Sequence, residues 1–240
     1  MPKVAGLRDE QKCLNLPART RESIVHSIME KWPPPKLKIL CLGAHPDDIE
    51  IGCGGTILRF LASIREVEMR WVVFGATAKR KKEAIASAGR FLRAAKIKKI
   101  DIRGFRESFL PYQGEAIKRE FEKIKRSYQP DIIFTHYRHD LHQDHRIVNE
   151  FTWNTFRNHL ILEYEIPKYD GDLGVPNTFI QLGEDHCTNK VRNLMECFPS
   201  QQTRHWFTED TFFALLRLRG IESGGTTRYA EAFYCRKHVW

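Results

Sequence analysis

Two clusters of histidine and aspartate residues stand about a hundred positions apart in this chain. The first, His45-Pro46-Asp47-Asp48, follows the apolar run 39–42, and the second, His139-Asp140-Leu141-His142-Gln143-Asp144-His145, follows the apolar run 132–134. Imidazole nitrogens and carboxylate oxygens are ligands that Zn²⁺ accepts readily. We therefore predict that the two clusters meet on one divalent metal ion.

The two carboxylates of the first cluster are suited to different roles. His45 and Asp48 lie three residues apart across a turn that Pro46 stiffens, so both side chains can face one point. Asp47 lies between them and should point elsewhere. A carboxylate beside a metal that it does not bind is placed to take a proton from the water that the metal activates.

The second cluster leaves one choice open. Either His142 or His145 can be the third metal ligand, and the other then stays free as an acid or an oxyanion donor. Asp144 can accept the spare ring N–H of a histidine and so fix its orientation. We expect His136 and His139 to be ordinary loop residues. Three protein ligands leave a fourth position for water, which is the arrangement of a catalytic zinc site.

The same two histidines and one carboxylate also suit Fe²⁺, as in non-haem iron oxygenases. Those sites usually lie on an antiparallel scaffold, whereas this chain alternates between strand and helix. Strands are predicted at 36–43, 68–76, 98–102 and 131–135, and helices at 52–63, 79–95, 115–128 and 144–156. This alternation predicts an α/β fold, Rossmann-like, with a mostly parallel sheet flanked by helices. Both clusters follow strands, so both should lie at one edge of that sheet.

The remaining chain is less regular, with strands predicted at 161–166, 179–182 and 229–235 and helices at 190–197 and 209–219. We predict a single domain over 37–240, preceded by an N-terminal arm over 1–36 that could contribute to a homo-oligomer. The six cysteines show no CxxC spacing, which favours free thiols in a reducing compartment. No long apolar run and no apolar leader is present, so we expect a cytoplasmic protein without a membrane span.

The net charge of +9 permits nucleic acid or another anionic partner. The positive residues are spread along the chain, however, and no basic–aromatic interleaving accompanies them. The hypothesis that the chain is a nucleic-acid-binding module therefore rests on its charge alone. A small-molecule substrate that carries an anionic group would also account for the charge.

The residues 45–48, followed by Gly52-x-Gly54-Gly55-Thr56 and by the second cluster, resemble the PIG-L-like (LmbE-like) N-deacetylase family. The resemblance covers roughly residues 37–235. It implies zinc-dependent enzymes on a Rossmann-like fold that remove an acyl group, usually acetyl, from the amino nitrogen of a sugar conjugate, often of the N-acetylglucosamine type.

The resemblance also assigns roles to individual residues. It implies one Zn²⁺ per chain, with Fe²⁺ as the alternative, bound by His45, Asp48 and His145. Asp47 matches the general base, and Asp144 matches the orienting carboxylate. His142 matches the group that stabilises the oxyanion or protonates the leaving amine.

Two further matches concern substrate binding. Arg80 in Arg80-x-x-Glu83 resembles a family element whose arginine reaches the substrate. Glu107 stands where members commonly carry Asp and would accept a sugar hydroxyl. One departure is that the family usually has Glu directly after the two aspartates, whereas Ile49 intervenes here before Glu50.

Overall fold

A computed structural model gives the fold of residues 35–238. The arm predicted for 1–36 lies outside the described residues apart from its last two positions, so it stays a prediction. Within 35–238, one sheet has the order β3-β2-β1-β4-β5-β7-β6. Its strands are β1 (Lys36–Gly43), β2 (Glu66–Gly75), β3 (Ile97–Phe105), β4 (Ile132–His136), β5 (Leu160–Tyr164), β6 (Thr178–Leu182) and β7 (Tyr229–Tyr234).

The first five strands pair in parallel, and β7 pairs antiparallel with both β5 and β6. The flanking helices are α1 (Asp48–Ser63), α2 (Ala78–Phe91), α3 (Gly114–Ser127), α4 (Gln143–Thr155), α5 (Glu184–Cys197) and α6 (Glu209–Glu222). Short 3₁₀ helices lie at Leu110–Gln113 and Pro199–Gln201. The prediction of a single α/β domain with a mostly parallel sheet is confirmed.

The strand order reverses between β1 and β4. The chain continues from β1 to β2 and β3 on one side and from β4 to β5 on the other. In open α/β sheets, the carboxyl ends of strands at such a switch point form the crevice that binds ligands. β1 and β4 are direct neighbours, with Ile39 opposite Ile132, so the two polar clusters emerge side by side.

The core that supports this edge is apolar. In α3, Ile117, Phe121 and Ile124 are fully buried and form one face against the sheet. Phe121 stacks on Phe74 of β2 with ring centroids 4.8 Å apart. Truncating such a buried aromatic ring typically costs about 3–5 kcal/mol, so this packing holds the strands in place below the site.

Helix α1 begins four residues earlier than predicted and contains the glycines that were expected to open it. The helix is kinked at Cys53, where φ is −143°. Glu231 of β7 accepts hydrogen bonds from the amides of Gly55 and Thr56 just beyond the kink, at 2.8 and 2.6 Å. Because a kink leaves backbone amides without helical partners, this distant carboxylate lets the helix continue.

Among the described helices, none combines the length and the apolar character needed to cross a membrane. The five cysteines of the described region are unpaired, as predicted: Cys41, Cys53, Cys187, Cys197 and Cys235.

Candidate functional site

The turn between β1 and α1 separates the two neighbouring aspartates. Asp47 has φ 92° and ψ −26°, a left-handed conformation that costs a non-glycine residue roughly 1 kcal/mol or more. Asp48 Oδ2 accepts a hydrogen bond from the amide of His45 at 2.6 Å, while Asp47 Oδ1 lies 3.0 Å from Nη2 of Arg80. The two carboxylates therefore face different partners, as the sequence predicted.

Metal-binding atoms of three residues from the two clusters converge. His45 Nδ1 lies 3.5 Å from Asp48 Oδ2, His145 Nε2 lies 3.5 Å from Asp48 Oδ1, and the two histidine nitrogens lie 3.2 Å apart. A tetrahedral zinc ion with bonds of about 2.0–2.1 Å keeps its ligand atoms about 3.3 Å apart. The donor types and their spacing thus fit zinc.

The electrostatics of these residues also favour a cation. Although burial lowers the pKa of His45, its hydrogen bonds to Asp144 and Asp48 raise it to about 10. Without metal the ring of His45 is therefore protonated, and a metal ion that binds its Nδ1 must displace a proton. Burial and the neighbouring His136 lower the pKa of His145 to about 3, so its ring is neutral, as metal binding requires.

His136 belongs to the site, contrary to the expectation that it is an ordinary loop residue. It is the last residue of β4, is fully buried and stacks on His145 with ring centroids 3.9 Å apart. Its Nε2 lies near Asp48 and His145, which makes a second possible metal-binding set. However, Nε2 accepts a hydrogen bond from the amide of Ala44 at 2.9 Å. Because its lone pair is used in this way, we favour the set of His45, Asp48 and His145. His142 also has a donor atom within 4.8 Å of those of His45 and His145, so these three histidines are a further possible metal-binding set. His139 is exposed.

Asp144 orients His45. Its Oδ2 lies 2.9 Å from Nε2 of His45. Backbone amides hold this carboxylate in turn, because Ser108 donates to Oδ2 at 2.6 Å and Leu110 donates to Oδ1 at 3.1 Å. A carboxylate that grips the spare nitrogen of a metal-binding histidine fixes its tautomer and its direction.

Asp140 holds His145 in the same way, although the sequence did not indicate which histidine it would contact. Its Oδ2 lies 2.8 Å from Nδ1 of His145, and its Oδ1 accepts from the amide of His142 at 2.8 Å. The ammonium group of Lys168 lies 2.9 Å from Oδ2. Each of the two histidines of the favoured set therefore has its own orienting carboxylate.

His142 caps the N-terminus of α4. Its Nδ1 accepts a hydrogen bond from the amide of Asp144 at 3.1 Å, so the neutral ring carries its proton on Nε2. Burial, together with the charge of His45, lowers the pKa of His142 and keeps it neutral. The rings of His142 and His45 lie 4.9 Å apart. A neutral N–H donor thus lies beside the metal-binding set.

Arg80 links Asp47 to Glu107. Its Nη1 lies 2.9 Å from Glu107 Oε1, and its Nη2 donates to Asp47 and to the carbonyl of Pro46. Burial raises the pKa of Asp47 to about 7, and the charge of Arg80 opposes part of that rise. A carboxyl group with this pKa is suited to proton transfer near neutral pH.

Glu50, the residue involved in the departure from the family pattern, does not line the cavity. It is buried, accepts a hydrogen bond from Ser87 of α2 at 2.6 Å, and burial raises its pKa to about 8. The insertion of Ile49 before it therefore leaves the metal-binding set intact.

All eight predicted site residues except Asp144 line one cavity of about 270 Å³. Asp144 lies directly behind His45. The sequence did not identify the opposite wall, which is built by the two loops that follow β5 and α5. The further lining residues are Ser108, Ile166, Lys168, Tyr169, Asp170, Gln201, Arg204 and Trp206.

The Arg80-x-x-Glu83 pattern explains how one of these loops is attached. Glu83 lies one helical turn after Arg80, and its carboxylate accepts from Ser200 N at 3.1 Å and from Ser200 Oγ at 2.5 Å. Gln201 follows directly and accepts from Arg204 Nε at 3.1 Å. Helix α2 therefore presents Arg80 to the cavity and anchors the 199–206 loop with Glu83.

The comparison with protein families agrees with this geometry. The model of the PIG-L family, described as GlcNAc-PI de-N-acetylase, matches residues 40–156. This range contains both polar clusters, Arg80 and Glu107.

Several solved structures share the fold. N,N′-diacetylchitobiose deacetylase from Pyrococcus horikoshii aligns with TM-score 0.62 and 24% identity, covering 82% of this chain and 83% of that one. The zinc-inhibited form of teicoplanin deacetylase Orf2 aligns with TM-score 0.64 and 15% identity, covering 82% and 97%. GalB, the 4-carboxy-2-hydroxymuconate hydratase from Pseudomonas putida KT2440, aligns with TM-score 0.67 and 14% identity, covering 85% and 98%.

Proposed function

This chain carries a domain of the PIG-L-like family, and on that premise we propose that it is a zinc-dependent N-deacetylase of an N-acetylated amino-sugar conjugate. The family match and the deacetylases among the structural neighbours support a deacetylase. The observation that carries the proposal is the convergence of His45 Nδ1, Asp48 and His145 Nε2 within 3.2–3.5 Å, with the Asp47 carboxylate beside them in one cavity.

His45, Asp48 and His145 would hold the metal. A zinc ion held there would supply Lewis-acid polarisation of the amide carbonyl and would lower the pKa of bound water to about 7. Fe²⁺ is the alternative ion for the same donor set. Asp144 and Asp140 keep the two histidine rings turned towards the ion.

Asp47 acts as the general base. Its carboxylate takes a proton from the attacking water, and its raised pKa places that transfer near neutral pH. Arg80 holds the carboxylate through Oδ1, which leaves Oδ2 for the water. A positioned general base typically contributes about 10²- to 10⁴-fold to the rate.

His142 stabilises the oxyanion. Its Nε2–H can donate to the developing negative charge on the carbonyl oxygen, and the hydrogen bond from Asp144 N to Nδ1 fixes the tautomer that makes this possible. Loss of one such donor typically lowers the rate by about 10²- to 10³-fold. The proton that Asp47 has accepted can then pass to the leaving amine.

The substrate would place one sugar ring in the cavity. A volume of about 270 Å³ is near the lower end of ligand pockets, roughly 300 Å³. The remainder of a conjugate must therefore lie at the rim. Glu107 and Arg80 are positioned to bind sugar hydroxyls, and the rings of Tyr169 and Trp206 lie in the opposite wall.

We further propose that the conjugate is anionic. Arg204 lies in the cavity wall and is exposed. Within residues 35–238 it has no carboxylate at ion-pair distance, in contrast to Arg80 and Lys168. The net charge of +9 adds a general attraction for anions. We retain the cytoplasmic location and the homo-oligomer as predictions.

The experiment is a screen of N-acetylated sugar conjugates, neutral and anionic, for release of acetate and free amine. We expect release by the zinc-loaded protein without oxygen, loss with a chelator, and recovery when zinc is restored. Activity that requires oxygen would favour the iron enzyme. Equal rates on matched neutral and anionic conjugates would contradict the anionic substrate. Because GalB shows that the fold also serves a hydratase, absence of acetate release from every conjugate would refute the deacetylase.

A further inference from the structure

The loop that follows β5 carries a lysine that reaches the metal-binding set through a carboxylate. Lys168 Nζ lies 2.9 Å from Asp140 Oδ2, and the same oxygen lies 2.8 Å from His145 Nδ1. We propose that Lys168 is a positioning residue that fixes the zinc-binding direction of His145 through Asp140 and so couples the 166–172 loop to the metal. The proposal rests on the proposed function, because it deepens the role of the same site.

Asp140 depends on this lysine because of the way its two oxygens are satisfied. Oδ1 accepts from the amide of His142, and Oδ2 is shared between the ring of His145 and Lys168. Asp140 is 2% exposed. Without the ammonium group, Oδ2 would keep the histidine ring as its only partner in the described part of the chain. Apart from the ring, the amide of His142 would then be the only group holding the carboxylate in the described part of the chain, and the direction of the ring would be less tightly fixed.

Lys168 also closes a bridge between two loops. Asp172, four residues later, lies 2.5 Å from Lys168 Nζ and accepts from the amide of Leu141 at 2.7 Å. The 166–172 loop is thus attached, through Lys168 and Asp172, to the adjacent residues Asp140 and Leu141 of the segment that leads into α4. Tyr169 and Asp170, between the two attachment points, line the cavity. A movement of this loop on substrate contact would therefore reach His145 through one lysine and one carboxylate.

A purely structural ion pair is the competing explanation. The side chain of Lys168 is 9% exposed, and buried pairs often contribute to stability without any part in chemistry. The two explanations differ in one measurable quantity. A structural pair changes the free energy of unfolding of the metal-free protein and leaves its zinc affinity unchanged, whereas a positioning residue changes the zinc affinity.

The test uses Lys168→Met, Lys168→Arg and a matched control, Lys123→Met, whose lysine lies on α3 with a side chain that is 62% exposed. Each metal-free full-length protein is titrated with zinc against a chromogenic chelator, and its thermal unfolding is recorded. We expect Lys168→Met to bind zinc about 10- to 100-fold more weakly, the usual effect of losing an outer partner of a ligand. Lys168→Arg should recover part of the loss, and the control should bind like the wild type.

A double-mutant cycle with Asp140→Asn tests whether Lys168 acts on His145 through Asp140. If Lys168 acts through Asp140, the double variant loses no more zinc affinity than Asp140→Asn alone. Wild-type zinc affinity in Lys168→Met, or losses that add in the double variant, would overturn the proposal. Should Lys168→Met fail to fold, Lys168→Gln replaces it, because it removes the ammonium group and keeps a polar side chain. A weaker zinc affinity in that variant supports the coupling, and an unchanged affinity refutes it.

The titration requires no substrate, so it separates the two proposals. A wild type that binds zinc and releases no acetate from any conjugate refutes the deacetylase, while the effect of Lys168 on zinc affinity is still decided. A wild type that releases acetate, with Lys168→Met binding zinc normally, refutes only the positioning role.

Discussion

Asp144 and Asp140 perform the same task on two histidines, but the chain holds them in different ways. Asp144 is fixed by the backbone amides of Ser108 and Leu110. Asp140 is fixed by the amide of His142 and by a lysine side chain from another loop. Backbone amides of a folded segment move only when the fold moves, whereas a lysine side chain follows its own loop. One histidine is therefore set by the fold, and the other is set by a contact that a substrate can reach.

The largest loss of activity should come from changing Asp47, which contacts neither Asp140 nor Asp144. This variant shows what happens when the chemistry is impaired and the two orienting carboxylates are kept. Asp47→Asn removes the proposed general base and keeps all three proposed metal ligands, so kcat should fall by about 10²- to 10⁴-fold. Zinc affinity should stay unchanged. Steady-state rates and a zinc titration check both expectations. Near wild-type turnover would show that Asp47 is not the base.

Asp144→Asn should lower both the zinc affinity and the free energy of unfolding of the protein. Asn offers one acceptor oxygen where the carboxylate satisfies two backbone amides and the ring of His45. A buried amide left unsatisfied costs about 1–3 kcal/mol, and zinc affinity should fall by about 10- to 100-fold. Urea unfolding of the metal-free protein and a zinc titration measure the two effects. A zinc defect with unchanged unfolding would mean that the backbone contacts do not anchor this carboxylate.

Asp140→Asn should weaken zinc binding by a similar factor with a smaller loss of stability. Its partner Lys168 keeps Asp172 as a counter-ion, and the amide of His142 keeps its acceptor. Because neither Lys168 nor the amide of His142 is left without a partner, we expect a loss of about 1 kcal/mol in the free energy of unfolding. The same two measurements apply. A stability loss equal to that of Asp144→Asn would remove the distinction between the two carboxylates.

The residues that could be predicted from the sequence are those whose positions depend on local geometry. The positions of His45, Asp47 and Asp48 follow from a short turn after a buried strand, and such local geometry can be read from adjacent residues. The meeting of the clusters follows from the alternation of strand and helix, because it predicts that both strands end at one edge. Asp144 could be proposed from the sequence because it lies inside the motif.

The missed residues depend on packing between distant segments. Lys168 reaches Asp140 only because two separate loops meet, and neither spacing nor periodicity encodes that contact. The burial of His136 follows from its place as the last residue of a fully buried strand, a signal that was present in the apolar run 132–134. The attachment of Ser200 to Glu83 was marked in part by the spacing of Glu83 from Arg80 on one helix.

The smallest effect concerns the 199–206 loop, which is held like Asp140 by a side chain rather than by backbone alone. Glu83→Gln weakens the contacts to Ser200 and loosens the wall that contains Gln201 and Arg204. Loss of part of a charge-assisted contact is worth about 1 kcal/mol, so KM should rise by about three- to tenfold. The values of kcat and zinc affinity should stay near those of the wild type, because no metal ligand is attached to this loop. Glu115→Gln, at an exposed position of α3, is the matched control. A fall in zinc affinity in Glu83→Gln would show that the 199–206 loop, like the 166–172 loop, is coupled to the metal. The coupling would then not be confined to His145, and the difference between the two histidines would no longer describe how the cavity wall acts on the metal.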